Sequence, residues 1–244
     1  MTQDMASARA ASTVIVLREG TAPFEVLLVK RHDNIAFMGG AYVFPGGRVD
    51  EGDAAALSGV EGLGLGDRFP RFPDLDLAHE WAYRRAAVRE LAEEANVRVL
   101  PADLEPLAHW VTPEVEIRRY DTRFFLARMP DGQEARHDDS ETTALAWLTP
   151  EEAIARCVAR EILLPPPTWT TLRQLERCAS VDAVFAAART RPIVCIQPGF
   201  IKTDTESMLT LPGDPLFPTI PGWDVPAETR FVLEEGNRWL PRKP

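Results

Sequence analysis

One helix with capping signals at both ends, flanked by short β-branched runs, constrains this chain more than any other feature. Asp76 is an expected N-cap and the helix runs to about Ala95. Asn96 follows, the second choice after glycine for the left-handed position past a helix end. Upstream, residues 12–18 and 24–31 read as strands joined by a turn at Glu19-Gly20-Thr21-Ala22-Pro23. Residues 41–44 form a third short strand, ending in Pro45-Gly46-Gly47. Downstream, 107–112, 122–129 and 144–148 read as strands, and Thr149-Pro150 opens a further helix with proline at its first position. Strands on both sides of a helix predict an α/β fold with a mixed sheet.

The organisation expected is a disordered N-terminus at 1–11, an α/β domain at 12–164, and an extension at 165–244. The extension holds two helices, about 168–178 and 180–189, then a strand at 193–197 and a Pro-rich tail. These helices are read either as support for a homodimer or as a cap on the domain's own core. Residues 54–75 carry Gly59, Gly62, Gly64, Gly66, Pro70 and Pro73, which is loop composition.

Hydrophobic residues make up 45% of the 244, enough for a full core. A formal net charge of −10 argues against general nucleic-acid binding, which needs a basic footprint. Cys157, Cys178 and Cys195 are odd in number and widely spaced, so neither zinc nor a disulfide framework is expected. With no secretory signal and no apolar run of membrane-spanning length, a cytoplasmic location without membrane contact is the expectation. There is no P-loop, no Gly-x-Ser-x-Gly elbow, and no zinc spacing among the four histidines.

At about 100° per residue, Glu94 falls about 40° from Glu90, and Glu93 about 60° to the other side. Three carboxylates therefore share one arc of the helix. Taken alone this is a solvated acidic face; equally, rigidly held carboxylates are the hard oxygen ligands that Mg²⁺ prefers. Ala86 and Ala87 are expected above them on the same side, leaving room for an ion or phosphate. Leu77, Trp81, Val88, Ala92 and Ala95 are expected to bury against the sheet.

What lies upstream decides between the two. Gly46-Gly47-Arg48-Val49-Asp50-Glu51-Gly52-Asp53, followed by Arg89-Glu90-Leu91-Ala92-Glu93-Glu94-Ala95-Asn96-Val97, resembles the Nudix box. Asn96 replaces a glycine, Asp53 replaces the first glutamate, and residues 54–88 stand where the box has seven positions. The long insert after Phe44-Pro45-Gly46-Gly47 is similar to the acyl-coenzyme A diphosphatase branch of that superfamily. So are Leu27 to Gly47, a looser coenzyme A signature, and Trp110-Val111-Thr112-Pro113, Arg119-Tyr120-Asp121-Thr122 and Leu211-Pro212-Gly213-Asp214.

This resemblance implies a Nudix α/β/α sandwich with a mixed sheet and a C-terminal helical extension. It implies a diphosphate hydrolase using Mg²⁺ or Mn²⁺ held by Glu90, Glu93 and Glu94, with the Gly46 backbone beside the metal. Arg89 would orient the glutamates. Glu93 or Glu141 would take the proton, and Asp53 is the box position least expected to bind metal. For a coenzyme A-like substrate, Lys30, Arg31, Gly47 and Arg119 are the expected phosphate contacts. Arg118 and Arg123 are further cations. Phe37 and Phe124 line the arm, with Met38, Phe69, Phe72 and Trp110 as further apolar candidates. The alternatives are an ADP-ribose, NADH or nucleoside diphosphate-sugar hydrolase, and a Nudix module that binds without catalysis.

Overall fold

The computed structural model describes residues 7–20, 23–33, 39–55, 72–137, 142–234 and 238–244. Its main sheet is mixed. β1 (Arg9–Arg18) runs parallel to β6 (Tyr120–Arg128), in register from Arg9↔Tyr120 to Leu17↔Arg128. β5 (Glu105–Val111) pairs antiparallel with β6 and parallel with the short β8 (Cys195–Ile196). On the other side, β1 meets β2 (Glu25–Arg31) only at Leu17↔Val26 and Arg18↔Glu25. The two strands then part. The gap is filled by β3 (Tyr42–Val43), which pairs with β2, and β4 (Gly46–Arg48), which pairs with β1. β7 (Thr142–Leu148) completes the sheet against β2.

Side-chain alternation sorts the strands into two cores. Val14, Val16, Leu27, Val29, Phe125 and Ala127 pack with Tyr83, Ala87, Leu91 and Ala95 of α2 (Leu77–Ala95). Ile15, Leu17, Val26, Leu28, Phe124 and Leu126 face the other way. They pack with α3 (Pro150–Val158), α4 (Pro166–Leu175) and α5 (Val181–Thr190). The result is the expected α/β/α sandwich. α4 and α5 bury Trp169, Leu172, Leu175, Val184 and Phe185 in that second core.

The helix ends match their signals. The Asp76 side chain accepts from the His79 N–H at 2.8 Å, and Asn96 sits at φ 53°, ψ 29° with its N–H on the Ala92 carbonyl. Thr149 and Glu152 form a reciprocal capping box with Pro150 at the start of α3.

Four expectations need correction. First, β1 starts at Arg9, whose N–H donates to the Arg119 carbonyl, so residues 9–11 are strand and not disordered. Second, Phe72, expected among the apolar candidates for the substrate arm, lies in the core at the end of the insert that follows α1 (Glu51–Ala55). Phe72 is buried edge-on against Phe125, and its N–H donates to Glu80 at 2.8 Å. Third, α2 is rotated from its expected setting. Ala86 and Ala87 are fully buried, while Leu77, Trp81, Val88 and Ala92 are only half-buried. Fourth, the Pro-rich tail contains a second antiparallel sheet, β9 (Gly199–Lys202), β10 (Ser207–Thr210), β11 (Arg230–Glu234) and β12 (Arg238–Arg242). Its strands are four or five residues long, too short for alternation to be read. Its Leu209, Phe231 and Trp239 join the second core.

Candidate active site

The site forms where β4 crosses the last two turns of α2. β4 lies so close to β1 that a Cβ on Gly46 would come within 2.3 Å of the Ser12 carbonyl oxygen. The Thr13 hydroxyl bonds the Phe44 and Pro45 carbonyls, and the Val14 N–H donates to the Pro45 carbonyl, pinning the approach. A Cβ on Gly47 would come within 2.4 Å of the Glu90 carboxyl. Glycine is needed at both positions for close approach, to backbone at one and to the carboxylate at the other. The Gly46 N–H donates to Glu94 at 2.8 Å.

The three glutamates are held differently. Glu94 is 4% exposed, because it lies on the face that α2 turns to the sheet. The Glu90 side chain is 13% exposed and that of Glu93 is 59% exposed. Arg89 ties two of them together, donating to Glu90 at 2.7 Å and to Glu93 at 3.2 Å. The same guanidinium bonds both oxygens of Asp53, at 3.3 and 2.9 Å, and the Arg48 carbonyl at 2.9 Å. Hydrogen bonding to Asp53, then to Glu90, raises Arg89 above the ordinary arginine range despite partial burial, so it stays charged. Asp53 is 4% exposed and also accepts from the Asp50 N–H. Its role here is to anchor Arg89.

Arg89, the three glutamates and Gly46 line a cavity of about 510 Å³, within the range of small-molecule sites. Of the expected substrate contacts, Arg31, Gly47 and Phe124 line it as well, as does Trp110. The Arg31 Nε is buried with no hydrogen-bond partner among the described residues.

Other expected contacts are not brought to the cavity. Lys30 is outside its lining and lies 3.3 Å from Asp33. Arg119 donates to the Thr112 carbonyl and to Gln197, also outside the lining. The reason is strand alternation: Tyr120, Thr122 and Phe124 of β6 face the cavity, so Arg119 and Arg123 point elsewhere. Arg123 is buried in a bidentate pair with Asp74, both bonds 2.8 Å, and Arg118 is exposed. Phe72 is core. Glu141, Phe37, Met38 and Phe69 lie outside the described residues.

Sequence reasoning missed Leu209, Trp239 and the run Pro165 to Pro167, all of which line the cavity. No local pattern marks them, because their place at the cavity depends on how the second sheet packs on the first.

Among the described residues no three carboxylate, imidazole or thiolate groups converge as a ready metal site. The Arg89 guanidinium takes the place of a cation for Glu90 and Glu93, and Glu94 is turned to Gly46. No helix among the described residues is long and apolar enough to cross a membrane.

Mixed sheet, crossing glycine strand and glutamate-bearing helix together define a Nudix hydrolase, an enzyme acting on diphosphate bonds. The chain resembles a Nudix hydrolase structure from Alicyclobacillus acidocaldarius with a TM-score of 0.62 and 25% identity, over 78% of this chain and 99% of that one. Within the superfamily the chain resembles the NUDT19 branch: residues 102–175 match the family model described as the NUDT19 Nudix domain. It is 28% identical to the human protein named acyl-coenzyme A diphosphatase NUDT19, over 80% of this chain and 72% of that protein. It is also 28% identical to putative nudix hydrolase 7 of Caenorhabditis elegans, over 86% of this chain and 74% of that one.

Proposed function

We propose that this chain hydrolyses the diphosphate bond of coenzyme A and its thioesters, giving 3′,5′-ADP and (acyl-)phosphopantetheine. The observation that carries this is one cavity joining the glutamates of α2, the half-buried Arg31 and an apolar wall. That combination suits a substrate whose diphosphate separates a charged nucleotide from an uncharged arm. The names of the vertebrate relatives point the same way.

Glu90, Glu93 and Glu94 are assigned as the ligands of Mg²⁺ or Mn²⁺. The fit rests on donor chemistry: three carboxylates on one helix, two of them neutralised here by a guanidinium. The bound ion would lower the pKa of the attacking water and neutralise charge developing on the phosphate oxygens. The protein's own groups do the rest. Arg89 orients Glu90 and Glu93 by charge-assisted bonds. The Gly46-Gly47 backbone leaves room for the diphosphate, and Arg31 supplies a positive partner. Glu93 or Glu141 accepts the proton; the exposure of Glu93 favours it. The three cysteines are free, in keeping with the cytoplasmic location we propose.

The test is a substrate panel of coenzyme A, acyl-coenzyme A, ADP-ribose, NADH and a nucleoside diphosphate-sugar, each with Mg²⁺ and Mn²⁺ and with product analysis. Release of 3′,5′-ADP from coenzyme A or its thioesters is expected, and it should cease in excess chelator. Cleavage of ADP-ribose without cleavage of any coenzyme A species would overturn the assignment.

A further inference from the structure

The cavity is assembled from two parts of the chain with opposite chemistry. Among the described residues every charged one that lines it, including Arg31, Arg48, Asp50, Arg89 and the three glutamates, precedes Tyr120. Every described residue that the chain beyond Leu164 contributes is uncharged: Pro165 to Pro167, Thr168, Pro198, Leu209 and Trp239. Leu209 and Trp239 belong to the same apolar cluster as Phe44, Trp110 and Phe124, on the face of the sheet opposite α2. The cavity therefore runs from the carboxylates, past the glycine strand, to a wall built by the second sheet.

That wall is held firmly. Leu209 is paired with Phe200 and Phe231 across the sheet, and Trp239 with Leu233. Arg173 of α4 grips Glu228 at 3.0 and 2.8 Å just before β11, and Arg230 grips the buried Asp214 at 3.1 and 3.0 Å.

We infer that Leu209 and Trp239, facing Trp110 and Phe124, seat the thioester arm of the substrate and set its preferred acyl length. This rests on the coenzyme A reading above. The nucleotide half carries a phosphate on its ribose and needs cations; against a wall without charges that phosphate would lose its solvation uncompensated. The acyl-pantetheine arm carries no charge, and each methylene buried on the wall favours binding. Specificity for the arm is thus supplied by the C-terminal extension, and hydrolysis by the box.

The test measures kcat/KM for saturated acyl-coenzyme A thioesters of increasing length with the wild-type protein, Leu209→Phe and Trp239→Leu. In the wild type, kcat/KM should rise up to about fourfold per methylene and then level off. Leu209→Phe should move the plateau to shorter chains, and Trp239→Leu to longer ones. Because both side chains are buried, a second measurement uses the wild-type protein alone. An acyl-coenzyme A with a diazirine at the chain end should label peptides containing β10 or β12 on irradiation. A length profile shared by all three proteins, or label that spares both β10 and β12, would overturn the inference while leaving the diphosphatase reading standing. No wild-type turnover of coenzyme A or any thioester would remove both.

Discussion

The Gly46 backbone N–H donates to the Glu94 carboxylate at 2.8 Å across 48 positions of sequence, closing the insert into a single site. One oxygen of the most buried box glutamate thereby fixes the glycine strand over the helix. Loss of charge at this position is separable from loss of the bond, because an amide oxygen also accepts from an N–H.

Glu94→Gln should therefore keep the fold and lose the chemistry. A fall in kcat of about 100-fold or more is expected for removing one charged group from such a site, with a melting temperature close to wild type. Steady-state kinetics and thermal melting check this. Undiminished turnover would remove Glu94 from the mechanism.

The two glycines should fail in different ways. An alanine methyl at position 46 meets the Ser12 and Thr13 backbone, at 2.3 and 2.6 Å, which cannot yield without disturbing β1. Gly46→Ala should cost about 1–3 kcal/mol of stability. At position 47 the methyl meets the end of the Glu90 side chain, which can turn away. Gly47→Ala should melt near wild type and lose turnover. Denaturant melts paired with kinetics distinguish the two; equal destabilisation would contradict the geometry.

Asp53 anchors Arg89 through two hydrogen bonds and is nearly inaccessible. Asp53→Asn should cost about 1–3 kcal/mol, the usual range for bonds to charged groups. It should shift the Mn²⁺ binding midpoint less than Glu90→Gln does. Calorimetric titration of both variants decides; a larger shift for Asp53→Asn would make it a ligand.

Acid should loosen the C-terminal sheet. Glu228 is held below its ordinary value of 4.5 by hydrogen bonding to Arg173, against a smaller opposing effect of burial. A carboxyl lowered in the folded state contributes stability above its unfolded pKa and loses it as pH falls through the folded value. The melting temperature should thus drop below about pH 4. In Glu228→Gln it should be lower near neutrality and flatter across the acid range. Parallel acid limbs in the two proteins would contradict this.

Much of the architecture is legible without coordinates. Asp76, Asn96, Thr149 and Pro150 mark helix ends because the orphan groups there are satisfied within four residues. The box spacing places Arg89, Glu90, Glu93 and Glu94 on one helix for the same local reason. The rotation of that helix is another matter. Its apolar residues do not form a clean stripe, so burial of Ala87, Leu91 and Glu94 follows from where β1 and β4 lie beneath it.

By itself, then, the sequence determines the main elements of the first domain, their caps and the glutamate-bearing helix, since these depend on neighbours within a turn or a strand. The tertiary structure alone decides that Asp53 serves Arg89, that Lys30 and Arg119 stay away from the cavity, and that Leu209 and Trp239 complete it. Those outcomes depend on strand register and on contacts between residues tens to hundreds of positions apart. A one-residue change of register would send each side chain to the other face.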